Sequence, residues 1–170
     1  MANLEPRAQP KSRRDRQIEE VRHDPYLARS KPAEPAWCPS CGLVYHAGRW
    51  QRAERPSEPH RHFCPACLRL RDDFPAGIVT LSGDFDTAQR EALLGLARRA
   101  EASEAAEHPL QRIMAVRVSK AHTVITTTDP HLAQRIGSTI SHARGGRLTI
   151  DYSDDEYLVR VDWSAATPKD

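Results

Sequence analysis

The sequence predicts an α+β protein in which a small ribbon held by four cysteines precedes a two-layer α/β sandwich. Three observations lead to this prediction. All four cysteines of the 170 residues lie in two Cys-Pro-x-Cys motifs. Apolar residues follow helix or strand periodicity mainly after residue 73, and the first 35 residues show almost no such pattern. We therefore expect a disordered, basic N-terminal arm over 1–35, the ribbon over 36–72, the sandwich over 73–165 and a frayed end over 166–170.

The two cysteine motifs are typical of a structural zinc site. They read Cys38-Pro-Ser-Cys41 and Cys64-Pro-Ala-Cys67, with 22 residues between them. Each motif presents two sulfurs on one side of a tight turn, so Cys38, Cys41, Cys64 and Cys67 together supply the four soft ligands of a tetrahedral Zn²⁺ ion. Two disulfides or a thioredoxin-like redox pair are the alternatives, but neither a secretory segment nor a βαβ pattern accompanies the motifs. Four protein ligands leave no open coordination position, so the zinc is expected to hold the fold together and not to catalyse.

Two short strands are predicted between the cysteine motifs. Residues 42–45 form an apolar segment that leaves a glycine turn, and residues 48–50 form the return strand. A ribbon of this size buries little apolar surface, so bound metal must supply much of its stability.

The sandwich is predicted to begin with a linker over 72–77 and a short strand-like segment over 78–81. A helix follows over 87–106, with Asp84 or Asp86 as its N-cap, because Leu93, Leu96 and Ala97 fall on one face at helical spacing. The acidic residues toward its end are most simply a solvated surface.

Two hairpins around a second helix account for the last sixty residues. Strands over 112–119 and 122–127 form the first hairpin, and strands over 147–152 and 157–163 form the second. Asp129 and Pro130 mark the start of the helix between them, and Gly145-Gly146 ends it. The order helix-strand-strand-helix-strand-strand predicts two layers with an antiparallel or mixed sheet.

Basic residues are clustered, although the net charge is only +2. Residues 37–70 contain five arginines and two glutamates, and residues 111–149 contain six basic residues and one aspartate. Such segments favour phosphate contact by arginine and base stacking by a nearby aromatic ring, while ordinary solvated faces and packing of the tryptophan are the alternatives. The predicted RNA-binding residues are Arg49, Trp50, Arg52, Arg55 and Arg61 in the ribbon and Arg135, Arg144 and Arg147 in the sandwich.

Several functional classes are disfavoured. No apolar run approaches the ~20 residues of a membrane helix, and the polar N-terminus lacks the apolar segment of a signal peptide. With reduced cysteines, these features predict a cytoplasmic protein with no membrane partner. No paired nucleophile and base, phosphate loop or open metal position is found, so we predict neither an enzyme nor a small-molecule substrate.

Six sequence blocks together carry a family resemblance. They are Cys38-Pro-Ser-Cys-Gly-Leu-Val-Tyr-His-Ala-Gly-Arg-Trp50, Cys64-Pro-Ala-Cys67, Phe74-Pro-Ala-Gly77, His108-Pro-Leu-Gln-Arg-Ile-Met114, Thr127-Thr-Asp-Pro-His-Leu-Ala133 and Val159-Arg-Val-Asp-Trp163. In combination they resemble a small bacterial family of uncharacterised zinc-ribbon proteins. The order of ribbon and α+β domain is also distantly similar to the ribosomal large-subunit export adaptors of eukaryotes and their archaeal relatives, which implies a ribosome or rRNA partner.

The predicted function is therefore that of a non-enzymatic zinc protein that binds structured RNA, with the large ribosomal subunit as the favoured partner. Two alternatives stay open. One is a redox-responsive regulator whose ribbon loses zinc and unfolds on cysteine oxidation. The other is an adaptor whose basic surface meets an acidic protein partner.

Overall fold

A computed structural model describes residues 24–27 and 31–166 of the chain. Within these residues the protein has three helices and two sheets, and each sheet has its own cluster of buried side chains. The predicted α+β class with a four-cysteine cluster is confirmed. No helix in the described residues is long and apolar enough to cross a membrane.

The ribbon contains four short strands and a helix, which are β1 (Ala36–Trp37), β2 (Val44–His46), β3 (Arg49–Gln51), β4 (His60–Arg61) and α1 (Pro65–Asp72). The sheet order is β3-β2-β1-β4. Strands β2 and β3 form the hairpin that the sequence predicts. The parallel pairing of β1 with β4 was not predicted, because two residues are too few to show an alternating pattern.

Helix α1 was also missing from the predicted ribbon. Cys64 is its extended N-cap residue and Pro65 occupies the first turn, where its fixed φ suits a helix start. The helix ends at Asp73, which adopts a left-handed conformation with φ 47°. The sequence signal was therefore present in Pro65, but it lay inside the second cysteine motif.

The sandwich is built on a five-stranded mixed sheet and two helices. Its elements are β5 (Gly77–Ser82), α2 (Thr87–Glu104), β6 (Ile113–Val118), β7 (His122–Thr127), α3 (Pro130–Arg144), β8 (Arg147–Tyr152) and β9 (Val159–Ser164). The sheet order is β6-β7-β5-β9-β8. The two outer pairs are the predicted antiparallel hairpins, and the central strand β5 pairs parallel to β9 and antiparallel to β7. The strand-like segment predicted over 78–81 is thus the middle of the sheet, and β9 begins two residues later than predicted.

Both long helices begin at caps that the sequence identifies. Asp86 caps α2, since its carboxylate accepts from the Gln89 backbone N–H at 2.7 Å while the Gln89 side chain accepts from the Asp86 N–H at 3.0 Å. Asp129 caps α3 and accepts from the His131 N–H at 2.7 Å. Gly145 and Gly146 follow α3 with φ 67° and 84°, which is the positive-φ ending that the glycine pair predicts.

Both helices pack on one face of the sheet and form the main core. The inward side chains of β9 are Val159, Val161 and Trp163, each at most 3% exposed, and Arg160 and Asp162 point to the exposed face. This alternation is the period of two that the sequence shows. The described part of the sandwich therefore has two layers.

Gly137 sets how closely α3 approaches β9. A Cβ atom there would lie 2.4 Å from Val161 Cγ1 and 3.0 Å from Leu148 Cδ1. We expect Gly137→Ala to destabilise the protein by about 1–2 kcal/mol, because overpacking costs more than the ~1 kcal/mol gained in helix propensity. Gly95→Ala in α2 is the matched control, since nothing lies within 4 Å of its added Cβ; it should be neutral or stabilising. Urea denaturation of both variants measures the difference, and equal stabilisation by both would contradict the close approach.

The predicted disordered arm lies largely outside the described residues, which omit 1–23 and 28–30. Two parts of it are described and make contacts. Asp24 and Tyr26 contact Arg69 of α1. The Glu34 carboxylate accepts from the backbone N–H groups of Ala47 and Gly48 at 2.8 and 3.0 Å and so closes the β2–β3 turn. These parts of the arm belong to the folded structure.

Candidate metal centre

The two cysteine motifs lie side by side because β1 and β4 pair in parallel. The first motif follows β1, and the second follows β4 and opens α1. The His62 N–H donates to the Trp37 carbonyl at 3.0 Å directly before the motifs. In the first motif, the Cys38 N–H donates to the Leu43 carbonyl at 2.8 Å and the Gly42 N–H to the Cys38 carbonyl at 2.9 Å, with Gly42 at φ 79°. Glycine permits this turn because it carries no Cβ.

The four sulfur atoms form a compact cluster. The Sγ atoms of Cys38, Cys41, Cys64 and Cys67 all lie within 4.8 Å of one another, and those of Cys41 and Cys64 are 3.7 Å apart. A tetrahedral ion with Zn–S bonds of ~2.3 Å places its sulfurs ~3.8 Å apart, whereas a disulfide needs ~2.05 Å. All four cysteines are free. The donor set and spacing fit a metal ion, with zinc the best match, and do not fit two disulfides.

Electrostatics also favour a bound cation. Burial raises the pKa of Cys64, and the neighbouring cysteines Cys38, Cys41 and Cys67 raise it further, because four thiolates at one point repel each other. Burial likewise opposes ionisation of Cys41, but the Leu43 backbone N–H and the Arg112 guanidinium outweigh it and lower the pKa of that thiol to about 7. A divalent ion removes the repulsion among the thiolates, which is why such ligands bind as S⁻.

The cluster is part of the ribbon core. Cys38 and Cys64 are fully buried and Cys67 is 6% exposed, while Cys41 is exposed. Beside them pack the few large apolar side chains of the ribbon, Leu43, Tyr45 and Trp50. A metal at this position would therefore link both motifs and the core, and four sulfur ligands would complete its coordination.

Arg112 is a member of the site that the sequence did not reveal. Its guanidinium donates from Nη2 to Cys41 Sγ at 3.3 Å and from Nη1 to Cys67 Sγ at 3.5 Å. Arg112 lies 45 residues beyond Cys67 and immediately precedes β6. No local spacing rule connects an arginine at that distance to a cysteine motif, so only the packing of the two domains identifies it.

The predicted ribbon arginines lie on the surface. Arg49 is on edge strand β3, Arg61 on the opposite edge strand β4, and Arg52 and Arg55 in the loop between them; all four are exposed. None forms an ion pair with an acidic residue in the described ranges 24–27 and 31–166. Arg55 stacks over the Trp37 ring, with its Cζ 4.0 Å from the ring centroid. Within the described part of the chain, these four arginines are therefore exposed cations outside any ion pair.

Trp50 occupies a different environment from the predicted arginines. It is 8% exposed, its ring centroid lies 5.4 Å from that of Tyr45, and it stacks on His62 at 6.1 Å. A buried ring offers no free face to a base, so the predicted stacking role is not compatible with this position. The structure instead shows the alternative, packing of Trp50 in the ribbon core.

The predicted sandwich arginines are not brought together with the ribbon. Arg135 on α3 pairs with Glu104 of α2 at 2.7 Å, which offsets its charge. Arg144 is the last residue of α3. Arg147 is the first residue of β8, where its backbone lies opposite Ser164 at the end of β9. Arg112, which touches the metal cluster, immediately precedes β6, the strand at the opposite edge of the sheet. The predicted RNA-binding residues thus form two separate groups.

Comparisons with protein-family models, curated proteins and solved structures found no match to this chain. The resemblance to bacterial zinc-ribbon proteins and, more distantly, to ribosomal export adaptors therefore stays a prediction from the sequence blocks.

Proposed function

We propose that the protein is a non-enzymatic zinc-ribbon protein that binds structured RNA through the arginines of its ribbon. The observation that carries the proposal is the set of four exposed arginines, Arg49, Arg52, Arg55 and Arg61, on the module that contains the cysteine cluster. Zinc would hold the ribbon rigid, and the arginines would contact phosphate. Four sulfur ligands would leave the metal no site for a substrate, which supports a binding function over catalysis.

The charges of the ribbon favour a polyanionic partner. Exposed arginines that form no ion pair within the described residues are available to phosphate oxygens, which accept the paired N–H groups of a guanidinium. Arg55 and Trp37 add a stacked cation and ring at the same surface, and such pairs offer stacking to unpaired RNA bases. Arg144 and Arg147 would make a second, separate phosphate contact. Arg135 contributes less, because Glu104 holds it.

We propose the large ribosomal subunit as the first RNA to test and the cytoplasm as the compartment. Support comes from the distant resemblance to export adaptors and from the absence of a membrane-crossing helix among the described residues. Ribosomal RNA offers the dense phosphate surface that localised arginine groups recognise.

Cosedimentation with ribosomes at two salt concentrations tests this function. Four phosphate contacts predict that affinity falls on the order of 100-fold between about 50 and 200 mM salt. The variant Arg52→Glu/Arg61→Glu should bind much more weakly and show a shallower salt dependence. Its matched control is Arg98→Glu/Arg99→Glu, which makes the same charge change on the exposed surface of α2 and should bind like the wild type.

Equal loss of ribosome binding in both double variants would show that binding depends on net charge alone. That result would overturn the proposed RNA interface on the ribbon. No association with ribosomes at low salt, together with salt-sensitive capture of an acidic protein, would support the adaptor alternative. Loss of metal and binding after mild peroxide, restored by reduction and zinc, would support the redox alternative.

A further inference from the structure

Arg112 connects the cysteine cluster to the α/β sandwich. Besides its contacts to Cys41 and Cys67, its Nη2 atom lies 4.0 Å from Cys64 Sγ, so one guanidinium reaches three of the four sulfurs. No other hydrogen bond between described residues joins a side chain of the sandwich to a cysteine sulfur, and the Leu110 side chain adds an apolar contact with the ribbon core. The side chain is half-buried at the junction.

The position of Arg112 is fixed from the sandwich side. Its Nε atom donates to the Pro109 carbonyl at 2.9 Å. Its backbone N–H donates to Thr128 Oγ1 at 2.8 Å, and its carbonyl accepts from the Thr128 N–H at 2.9 Å. Thr128 is 5% exposed, and its hydroxyl also donates to the Leu110 carbonyl at 2.6 Å. The guanidinium is therefore aimed at the sulfurs by backbone contacts that do not involve the ribbon.

The charge of the cluster explains what this arginine can do. Four thiolates around a divalent ion carry a net charge of −2, and much of the cluster is buried. A guanidinium within hydrogen-bond distance of the sulfurs halves that charge, and its N–H groups donate to lone pairs of the exposed Cys41 and the buried Cys67 sulfurs. Groups of this kind, just outside the ligands, fix ligand orientation and tune metal affinity.

We propose that Arg112 is a positioning residue of the metal centre, through which the α/β sandwich controls how tightly the ribbon holds its metal ion. The inference rests on metal binding by the four cysteines and not on RNA binding. Substitution of Arg112 removes the contacts to sulfur and leaves all four ligands in place. Metal affinity should fall by roughly 10- to 100-fold, as is typical when such a supporting group is lost.

The test uses the full chain and the variants Arg112→Met, Arg112→Lys and Arg117→Met. Arg117 is the matched control, because it lies in β6, the strand that Arg112 precedes, and pairs with the exposed carboxylate of Asp73 at 3.2 Å instead of a cysteine sulfur. Zinc content is measured first, followed by the rate of zinc transfer to a coloured chelator. The Co²⁺-loaded proteins then report the sulfur environment through their thiolate-to-metal absorption bands.

Arg112→Met should release zinc about 10- to 100-fold faster and shift the Co²⁺ bands. Arg112→Lys should lie between it and the wild type, because one ammonium cannot serve two sulfurs as a planar fork does. Arg117→Met should match the wild type. If Arg112→Met does not fold, Arg112→Lys decides the question by its transfer rate and its bands.

Unchanged rates and bands in the folded Arg112 variants, or equal changes in Arg117→Met, would overturn the role of Arg112 while metal binding stands. A wild-type protein that binds neither zinc nor Co²⁺ would overturn the metal centre itself and this inference with it.

Discussion

Cys64→Ser is expected to abolish stoichiometric metal binding and to unfold the ribbon while the α/β sandwich stays folded. Cys64 is fully buried and its Sγ lies 3.7 Å from that of Cys41. Among the described residues the donor cluster contains only the four cysteines, so no fifth donor stands ready to replace it. Structural zinc contributes ~10–16 kcal/mol in small zinc domains, and the ribbon has few large buried side chains of its own. The sandwich has a separate core that includes Val79, Leu81 and Ile125.

Metal analysis measures the loss of zinc from Cys64→Ser, and hydrogen exchange measures which elements of the variant unfold. In Cys64→Ser, protection should be lost across β1 to α1 and retained in β5 and β7. The Arg112 amide should also stay protected, because it donates to Thr128 Oγ1 within the sandwich. Ser57→Ala, in the exposed loop between the motifs, is the control and should keep one zinc ion. A Cys64→Ser protein that retains its zinc and its ribbon protection would refute the structural role of the metal.

Asp24→Asn is expected to destabilise the protein by roughly 3–5 kcal/mol, the cost of leaving a buried charge without its partner. The Arg69 side chain is 1% exposed and pairs with Asp24, which is 12% exposed. Arg69 also donates to the Phe74 carbonyl at 3.0 Å, and its Cζ lies 4.6 Å from the Tyr26 ring centroid and 5.7 Å from that of Tyr157. Its Nε has no hydrogen-bond partner among the described residues. The guanidinium therefore depends on one carboxylate.

A double variant separates the charge from the packing. Asp24→Ala/Arg69→Met replaces the pair by apolar groups and should recover much of the stability that Asp24→Asn loses. The control is Asp73→Asn, which breaks the Asp73–Arg117 pair; both of its side chains are about two-thirds exposed, so the cost should be below ~1 kcal/mol. Denaturant unfolding gives all three values. An Asp24→Asn effect no larger than that of Asp73→Asn would show that the N-terminal segment does not hold Arg69.

Elements with long or capped sequence patterns were predictable. Asp129 identifies the start of α3, and Asp84 or Asp86 that of α2, since a carboxylate N-cap acts within three residues of itself; the structure selects Asp86. The alternation at Val159, Val161 and Trp163 identifies β9 in the same local way. By contrast, β1 and β4 are too short to show a periodic hydrophobic pattern. Helix α1 begins inside the second cysteine motif, where the same residues also predict a metal-binding turn.

The residues around the metal site likewise include some that the sequence predicts and others that it does not. The four cysteines were predictable because each motif sets two sulfurs by local turn geometry, and the requirement for four ligands joins the two pairs. Two interpretations of Trp50 were possible. An aromatic residue among arginines can pack in the ribbon core or expose its ring to a base, and the sequence pattern is the same in both cases. Its contacts with Tyr45 and His62 decided between them.

The α+β class, the cysteine cluster and the helix caps were predictable without coordinates, because each follows from contacts between residues near in sequence or from the chemistry of one residue type. The meetings between residues of distant segments became known from the three-dimensional arrangement alone. Arg112 lies against sulfur 71 residues away, Arg69 against a carboxylate 45 residues away, and the two groups of arginines lie apart. Side-chain contacts at such separations depend on how whole elements pack, and no local period or spacing encodes them.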